Sequence, residues 1–494
     1  MERSTKYWLI GIFVAVLTLR LLLAFLIPNF TYDSYFNLRQ VQHIHDTGLP
    51  LYNDPLSYGG RELVFLPFFH YLLAGFSFIL PLELAAKILP NFFMALLTII
   101  IFYLSKKITN NDSAALVSAF LVGILPVLFF TNDFSVDSLF LPLIFFAIYC
   151  FLNLPQKKYL YFYLGSFLIL SLTSPATFLI IIGLGIYLLL SYLENKRINE
   201  EEKEVLLFSL FVFLWIQLLF FKKVFLQEGI SFIWQNIPTP ILQNYFPQIS
   251  ILGAIALVSV IPFIVGIIVV YRSLFQVKNR MIYLLISLVI ATTALSWFKL
   301  LKFNQSLTFF GITLTILFAP FYLDLTQYLE KTKWNRFHPY FPYVVTFLLL
   351  ITIIPLTINT AWKQETPSEG EVKAFLWLQA NTPEQTGVLS LLEEGNLVTY
   401  YGQRRNLMDE QFSLIPEVES KFEDLHSLYT TKFQTLALKK TEQHQLQYLT
   451  LTPRAKSKYG LTKFSYITPD CFKKVYDEDT KIYQVKCSLQ EVPT

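Results

Sequence analysis

Eleven apolar stretches alternate with short polar ones along the first 362 residues. They lie near 7–27, 83–104, 113–131, 135–152, 159–173, 175–193, 205–221, 249–271, 281–300, 303–323 and 342–362. Most approach the ~20 apolar residues with which an α-helix crosses a bilayer. The run 63–80 is apolar as well. Counted as a span, it puts Lys106 and Lys107 outside and reverses every later loop. Read as an interfacial helix, it leaves fifteen lysines and arginines on the inner segments and six on the outer ones: Arg39, Arg61, Lys222, Lys223, Lys299 and Lys302. That asymmetry is the positive-inside pattern. It predicts about 11 spans, a cytoplasmic N-terminus and a cell-membrane protein whose loops 28–82 and 222–248 lie outside.

The pattern changes after Ala361. EGEVKAFLWLQANTP reads as an amphipathic helix with Val372, Phe375, Leu376 and Leu378 on its apolar face. GVLSLL and LVTYYG read as short strands, and CFKKVYDEDTKIYQVKC as a hairpin turning at Asp477–Thr480. A hairpin centred at Asp479 sets Cys471 opposite Cys487, which favours a disulfide outside the cell. The expected fold class is a polytopic α-helical membrane protein. A transmembrane domain, 1–362, precedes an extracytoplasmic soluble α/β domain, 363–494.

Composition agrees. Of 494 residues, 54% are hydrophobic and 15% charged, against about 25% charged in soluble chains, and the mean hydropathy is +0.49. Three cysteines exclude a disulfide scaffold and a cysteine-based metal site. No P-loop, zinc motif or dinucleotide turn is present, and no basic patch points to nucleic acid.

The candidate chemistry lies at the outer face. Asp33, in TYDSYFNLRQ, directly follows the first span. A carboxylate at the mouth of the membrane is expensive to desolvate unless something uses it. Asp133 and Asp137 in TNDFSVDSL, and Glu228 in the loop 222–248, are further outer carboxylates. Arg39, Arg61, Lys299 and Lys302 are the candidate cations. Arg20 lies a turn or two below the outer face, placed to snorkel or to reach a lipid phosphate. The chain shows no clear internal repeat, and its carboxylates gather at one face rather than at the midplane, which argues against a transporter.

YDSYFNLR resembles the aromatic-Asp-x-aromatic-Phe-Asn-x-Arg motif that opens the first external loop of GT-C membrane glycosyltransferases. The match is best to the oligosaccharyltransferase catalytic subunit in its archaeal form. SYGGRE, SKKITNNDSAALVSAFLVGILPVLFF, SLTSPATFLIIIGLG, FLWLQANTP and the stretch from Gly395 through TYYGQRRNLMD resemble later parts of that family in the same order. The resemblance implies transfer of a sugar or oligosaccharide from a polyprenyl-phosphate or -diphosphate donor to a glycan, lipid or protein acceptor. It implies Asp33 as base or metal ligand, with Asp137 where the family has Glu and Asp133 as the alternative. Glu228 would be a third carboxylate and Arg39, Arg61, Lys299 and Lys302 would serve the phosphate. A divalent cation, magnesium or manganese, would sit on Asp33 and Asp137. Where the family carries Trp-Trp-Asp-Tyr-Gly, this chain reads Leu391-Leu392-Glu393-Glu394-Gly395. The alternative readings are a lipid-linked glycan polymerase or ligase and a non-catalytic membrane scaffold.

Overall fold

The computed structural model describes residues 3–242 and 250–489. Residues 243–248 of the expected outer loop, the first residue of the span 249–271, and 490–494 lie outside the described residues. Each of the eleven apolar stretches holds helix. Seven helices among the described residues are long and apolar enough to cross a membrane, or eight if one bent pair counts as a span. The chain is a multi-pass membrane protein. It divides into two compact units. The first comprises Met1–Pro28, Leu66–Phe220 and Asn244–Gln364; the second comprises Asn29–Phe65, Phe221–Gln243 and Glu365–Thr494.

In the first unit, the long helices include Arg3–Leu26, Leu82–Thr109, Arg280–Trp297, Phe303–Glu330 and Phe341–Trp362. One apolar core, from Met94 to Ile353, runs through the later four, and Leu9 and Leu23 of the first helix belong to smaller clusters. Small residues let helices approach closely, as expected where packing rather than hydrophobicity drives association. A Cβ on Gly266 would lie 2.2 Å from Leu314 Cδ2, and one on Gly183 would lie 2.6 Å from Leu288 Cδ2. The expected span 249–271 is two helices, Ile251–Leu257 and one beginning at Val260, bent by 94°. The interfacial helix expected within 63–80 is Phe68–Ser77. The helix from Glu200 continues to Glu228, so Lys222 and Lys223 lie on it rather than in a loop.

The expected span 113–131 is broken. A helix of 12 residues, Asp112–Gly123, gives way to a 3-10 turn, Pro126–Thr131. Pro126 has no N–H to continue the ladder and holds Leu125 in an extended conformation. Irregular backbone at membrane depth survives only where protein satisfies its polar groups. Here the protein does so with long side chains from other helices. Arg20, 1% exposed, donates to Leu128 O at 3.3 Å and to Thr131 O at 3.1 Å. Its Nε donates to Asn91 Oδ1 at 3.1 Å, and its guanidinium lies 4.8 Å from the centroid of Phe129. Thr357 Oγ1 donates to Ile124 O at 2.6 Å. Gln364 Nε2 donates to Phe129 O and Phe130 O at 2.7 and 3.0 Å. Arg20 therefore neither snorkels nor reaches a lipid phosphate. It faces inward, because the broken segment offers it carbonyl oxygens, Leu128 O being shared with the Thr131 hydroxyl at 2.7 Å.

The second unit is built on a five-stranded sheet in the order Arg405–Asn406, Gly387–Leu389, Leu446–Leu451, Lys481–Val485, Phe472–Asp477. The first three strands are parallel, and the last two pair antiparallel as the expected hairpin. Cys471 and Cys487 close that hairpin as a disulfide, Cα to Cα 4.8 Å. The expected helix is Glu369–Asn381, begun by a capping box in which Ser368 and Glu371 exchange hydrogen bonds. LVTYYG is helical rather than a strand: Gly395–Leu397 continues into a wider turn, Val398–Gly402. Adjacent strand residues point to opposite faces, whereas Tyr400 and Tyr401 both pack on Tyr35, with centroids 5.4 and 5.3 Å away.

Replacing Arg20 by Leu takes its donor from buried Thr131 O and Asn91 Oδ1, at about 1–3 kcal/mol for each acceptor left unpaired. The variant is expected to denature at a markedly lower temperature in detergent, and Arg20→Lys to recover only part of the loss. An unchanged midpoint in Arg20→Leu would show that the broken segment does not depend on this side chain.

Candidate active site

The turn Pro126–Thr131 leads through Asp133 to the helix Asp137–Phe151, which places Asp137 in a first helical turn, where exposed backbone N–H groups favour a carboxylate. Asp137 is half-buried. Its Oδ1 accepts a hydrogen bond from Gln305 Nε2 at 2.7 Å, and the charge of Lys302 acts on it. Gln305 and Lys302 begin the helix Phe303–Glu330, and Lys299, at positive φ, sits in the turn before it. The first unit thus joins Asp137, Gln305 and Lys302. Both lysines are exposed. Asp133 is half-buried and within electrostatic reach of Lys87. Gln305 did not figure among the sequence candidates. Its signal was a long polar side chain three residues after Lys302, in the first turn of an apolar helix.

In the second unit, Asp33 immediately precedes the helix Ser34–Thr47, with no side-chain cap hydrogen bond, and it is exposed. Capping does not consume its carboxylate. Its neighbour Tyr32 is buried, and the Tyr32 hydroxyl donates to Glu371 Oε2 at 3.0 Å. That bond fixes the residue before Asp33 to the start of the helix Glu369–Asn381. Arg39 forms a two-pronged ion pair with Asp54, at 2.6 and 2.7 Å. Arg61 donates to Gln411 O and, at 2.6 Å, to Ser413 O, with Asp409 3.9 Å away. Glu228 accepts from Leu414 N. Arg61 and Glu228 therefore meet on the segment 411–414, and Arg39 stands apart from them on Asp54.

The Leu391–Gly395 segment contains a further buried acid. Glu394 is fully buried; its carboxylate accepts from Thr452 Oγ1 at 2.5 Å and from Leu391 N at 3.1 Å. Glu393 instead pairs with Lys458 at 2.8 Å. Burial, reinforced by the charge of Glu371, pushes the Glu394 carboxyl up to about 8.

Magnesium and manganese favour several oxygen ligands in near-octahedral array. Among the described residues no three histidine, cysteine or acidic side chains cluster as a metal site, and Asp137 Oδ1 already faces an amide donor. Neither unit by itself gathers such a set among its described residues; of the expected ligands, Asp137 lies in the first unit and Asp33 in the second.

No protein-family model and no curated protein matches the sequence. Solved structures do match. The oligosaccharyltransferase AglB from Archaeoglobus fulgidus, in complex with an inhibitory peptide and a dolichol-phosphate, superposes with a TM-score of 0.72 at 15% identity, over 93% of this chain and 71% of that one. The same enzyme tethered with an acceptor peptide containing the NVT sequon gives 0.69 at 14% identity, over 95% and 72%. ArnT from Cupriavidus metallidurans, bound to undecaprenyl phosphate, gives 0.57 at 11% identity, over 98% of both chains. The fold class expected from the sequence holds: this is a polytopic helical membrane protein with the GT-C architecture and a C-terminal domain built on a sheet.

The Glu394 carboxyl has a linkage consequence. In the unfolded chain it titrates near 4.5, and in the folded protein near 8. Between these values only the folded state holds the proton, so its contribution to stability falls as pH rises through this window and is flat above it. The thermal midpoint is expected to fall between pH 5 and 8, and Glu394→Gln to flatten that slope by the equivalent of a few kcal/mol. An identical slope in Glu394→Gln would refute the buried proton.

Proposed function

We propose that this protein is a membrane glycosyltransferase. It takes a sugar or oligosaccharide from a polyprenyl-phosphate or -diphosphate donor and passes it to an acceptor at the external membrane face, its N-terminus cytoplasmic. The observation that carries the reading is the GT-C fold, joined to a polar constellation of Asp137, Gln305 and Lys302 at the ends of apolar helices. The structural neighbours were solved with dolichol-phosphate, undecaprenyl phosphate and acceptor peptides; a lipid-linked donor of the same class is the proposal for this chain.

In the proposed reaction, Asp33 takes a proton from the acceptor's nucleophilic group as that group attacks the anomeric carbon. The bond from that carbon to the phosphate oxygen breaks, and its electron pair leaves on the lipid phosphate. Lys302 and Lys299 are assigned to the phosphate, as point charges rather than the planar fork an arginine presents. Gln305 holds the Asp137 carboxylate in one orientation, so that Asp137 orients the acceptor without rearranging during the step. Arg39, Arg61 and Glu228 are assigned to shaping the external loops, since the bonds described above engage them. Glu394 is buried among Thr452 and Leu391 and does not present a carboxylate to an acceptor. That supports an acceptor whose recognition does not run through Leu391–Gly395.

Sugar transfer measured in membranes supplied with a labelled polyprenyl-linked donor tests these roles. Asp33→Asn is expected to lose at least ~100-fold in kcat, within the range of a general base. Lys302→Gln is expected to raise KM for the donor more than it lowers kcat. Wild-type transfer by a correctly inserted Asp33→Asn protein would overturn the role given to Asp33.

A further inference from the structure

The second unit contains a polar cavity of about 210 Å³ at the edge of the sheet where the parallel strands begin, lined in part by Tyr58, Gly387, Arg405, Lys421, His444 and Gln445. The strands Gly387–Leu389 and Leu446–Leu451 and the pair Arg405–Asn406 all start there. The segment Leu391–Gly395 follows the other end of the Gly387–Leu389 strand, so this cavity belongs to a different part of the domain.

Its charge is unbalanced. Arg405 Nε is buried and makes no hydrogen bond. Among the described residues neither Arg405 nor Lys421 has an acidic partner within ion-pair distance. Asp424 is already engaged: it binds Lys440 and, at 2.7 Å, His444 Nε2. Arg61, itself 3.9 Å from Asp409 and 5.2 Å from the centroid of the Tyr58 ring, bears on Lys421 as a further positive charge, and Glu417 opposes it from beyond ion-pair distance. Arg405 and Lys421 are half-buried, and Lys421 Nζ lies 5.5 Å from the centroid of the Tyr58 ring. Partly burying two cations with no acid in ion-pair distance is costly, and an anion would complete the arrangement. The cavity is larger than an oxyanion and smaller than the ~300 Å³ at which pockets for drug-sized ligands begin. One wall is aromatic and rigid: the Tyr58 hydroxyl donates to Asp409 O at 2.7 Å, and its backbone N–H to Asn406 Oδ1 at 2.7 Å. An aromatic face beside amide and guanidinium groups suits a ring with both C–H and hydroxyl surfaces.

We infer that this cavity binds a single acidic sugar residue, one carrying a carboxylate or a phosphate, with Arg405 and Lys421 on the anion and the ring against Tyr58. The inference does not rest on the transfer reaction, because binding is read without turnover. It adds a recognition site for an anionic glycan unit to the external domain.

The test is calorimetric titration of the full-length protein in detergent with glucuronate, glucose 6-phosphate, inorganic phosphate and glucose. Glucuronate or glucose 6-phosphate is expected to bind at least ten times more tightly than glucose and than phosphate alone; which of the two is tighter identifies the anion. Arg405→Gln and Lys421→Gln are each expected to weaken that binding at least tenfold at an unchanged thermal midpoint without ligand. Lys432→Gln, an exposed lysine away from the cavity, is expected to bind as the wild type does. Arg405→Lys guards against a folding defect, and is expected to retain binding between that of the wild type and Arg405→Gln. Equal binding of glucose, binding of phosphate alone as tight as that of the sugar phosphate, no binding of either acidic sugar, or unchanged binding in both glutamine variants would overturn the inference.

Discussion

The helical unit depends on how it satisfies one stretch of broken backbone. From Ile124 to Thr131 the chain is not α-helical, and in an apolar setting each free carbonyl is a liability. Arg20 answers two of these carbonyls and Asn91 at once. Thr357 and Gln364 answer three more from the far end of the sequence. A charged side chain in such a place is tolerated because it has polar partners and an aromatic face against it. The consequence reaches the proposed site. The break ends at the turn that leads to Asp137, and the direction of the next helix brings that carboxylate to Gln305.

The second unit follows a different logic. Its loop from Asn29 to Phe65 is tied to the sheet domain by specific polar contacts rather than by apolar area alone. Tyr32 bonds to Glu371, Ser57 to Asp409 at 2.6 Å, and Tyr58 to Asn406 and Asp409. Arg39 and Asp54 then brace the loop internally. The exposed Asp33 stands between two anchored neighbours, Tyr32 and the buried Ser34, so its backbone is held while its carboxylate stays available. Holding the proposed base on a rigid frame is how a loop residue would gain catalytic precision.

Much of this was legible in the sequence, and the rest has identifiable physical causes. Hydropathy located helix in every apolar stretch because burial in lipid leaves a long, unambiguous trace. It missed the break inside 113–131 because Gly123 and Pro126 lie in an otherwise apolar run, and their effect depends on which donors come near. The hairpin and its disulfide were readable from turn residues and cysteine spacing. LVTYYG looked like a strand because its β-branched and aromatic residues favour one, whereas packing of both tyrosines on Tyr35 decided for helix. Arg20 pointed outward in a one-dimensional reading, since nothing in sequence links it to carbonyls more than a hundred residues away. The partners of Asp137, Tyr32 and Glu394 are likewise tertiary: Gln305, Glu371 and Thr452 are each distant in the chain.

The central claim is that a lipid-linked sugar is the donor. Purified protein in lipid nanodiscs, incubated with a panel of labelled polyprenyl-phosphate and polyprenyl-diphosphate sugars and a mixture of glycan, lipid and peptide acceptors, tests it most directly. The account predicts that at least one donor releases its polyprenyl phosphate or diphosphate in step with transfer of label to one acceptor class. Intact donors throughout, with protein that remains folded, would contradict it.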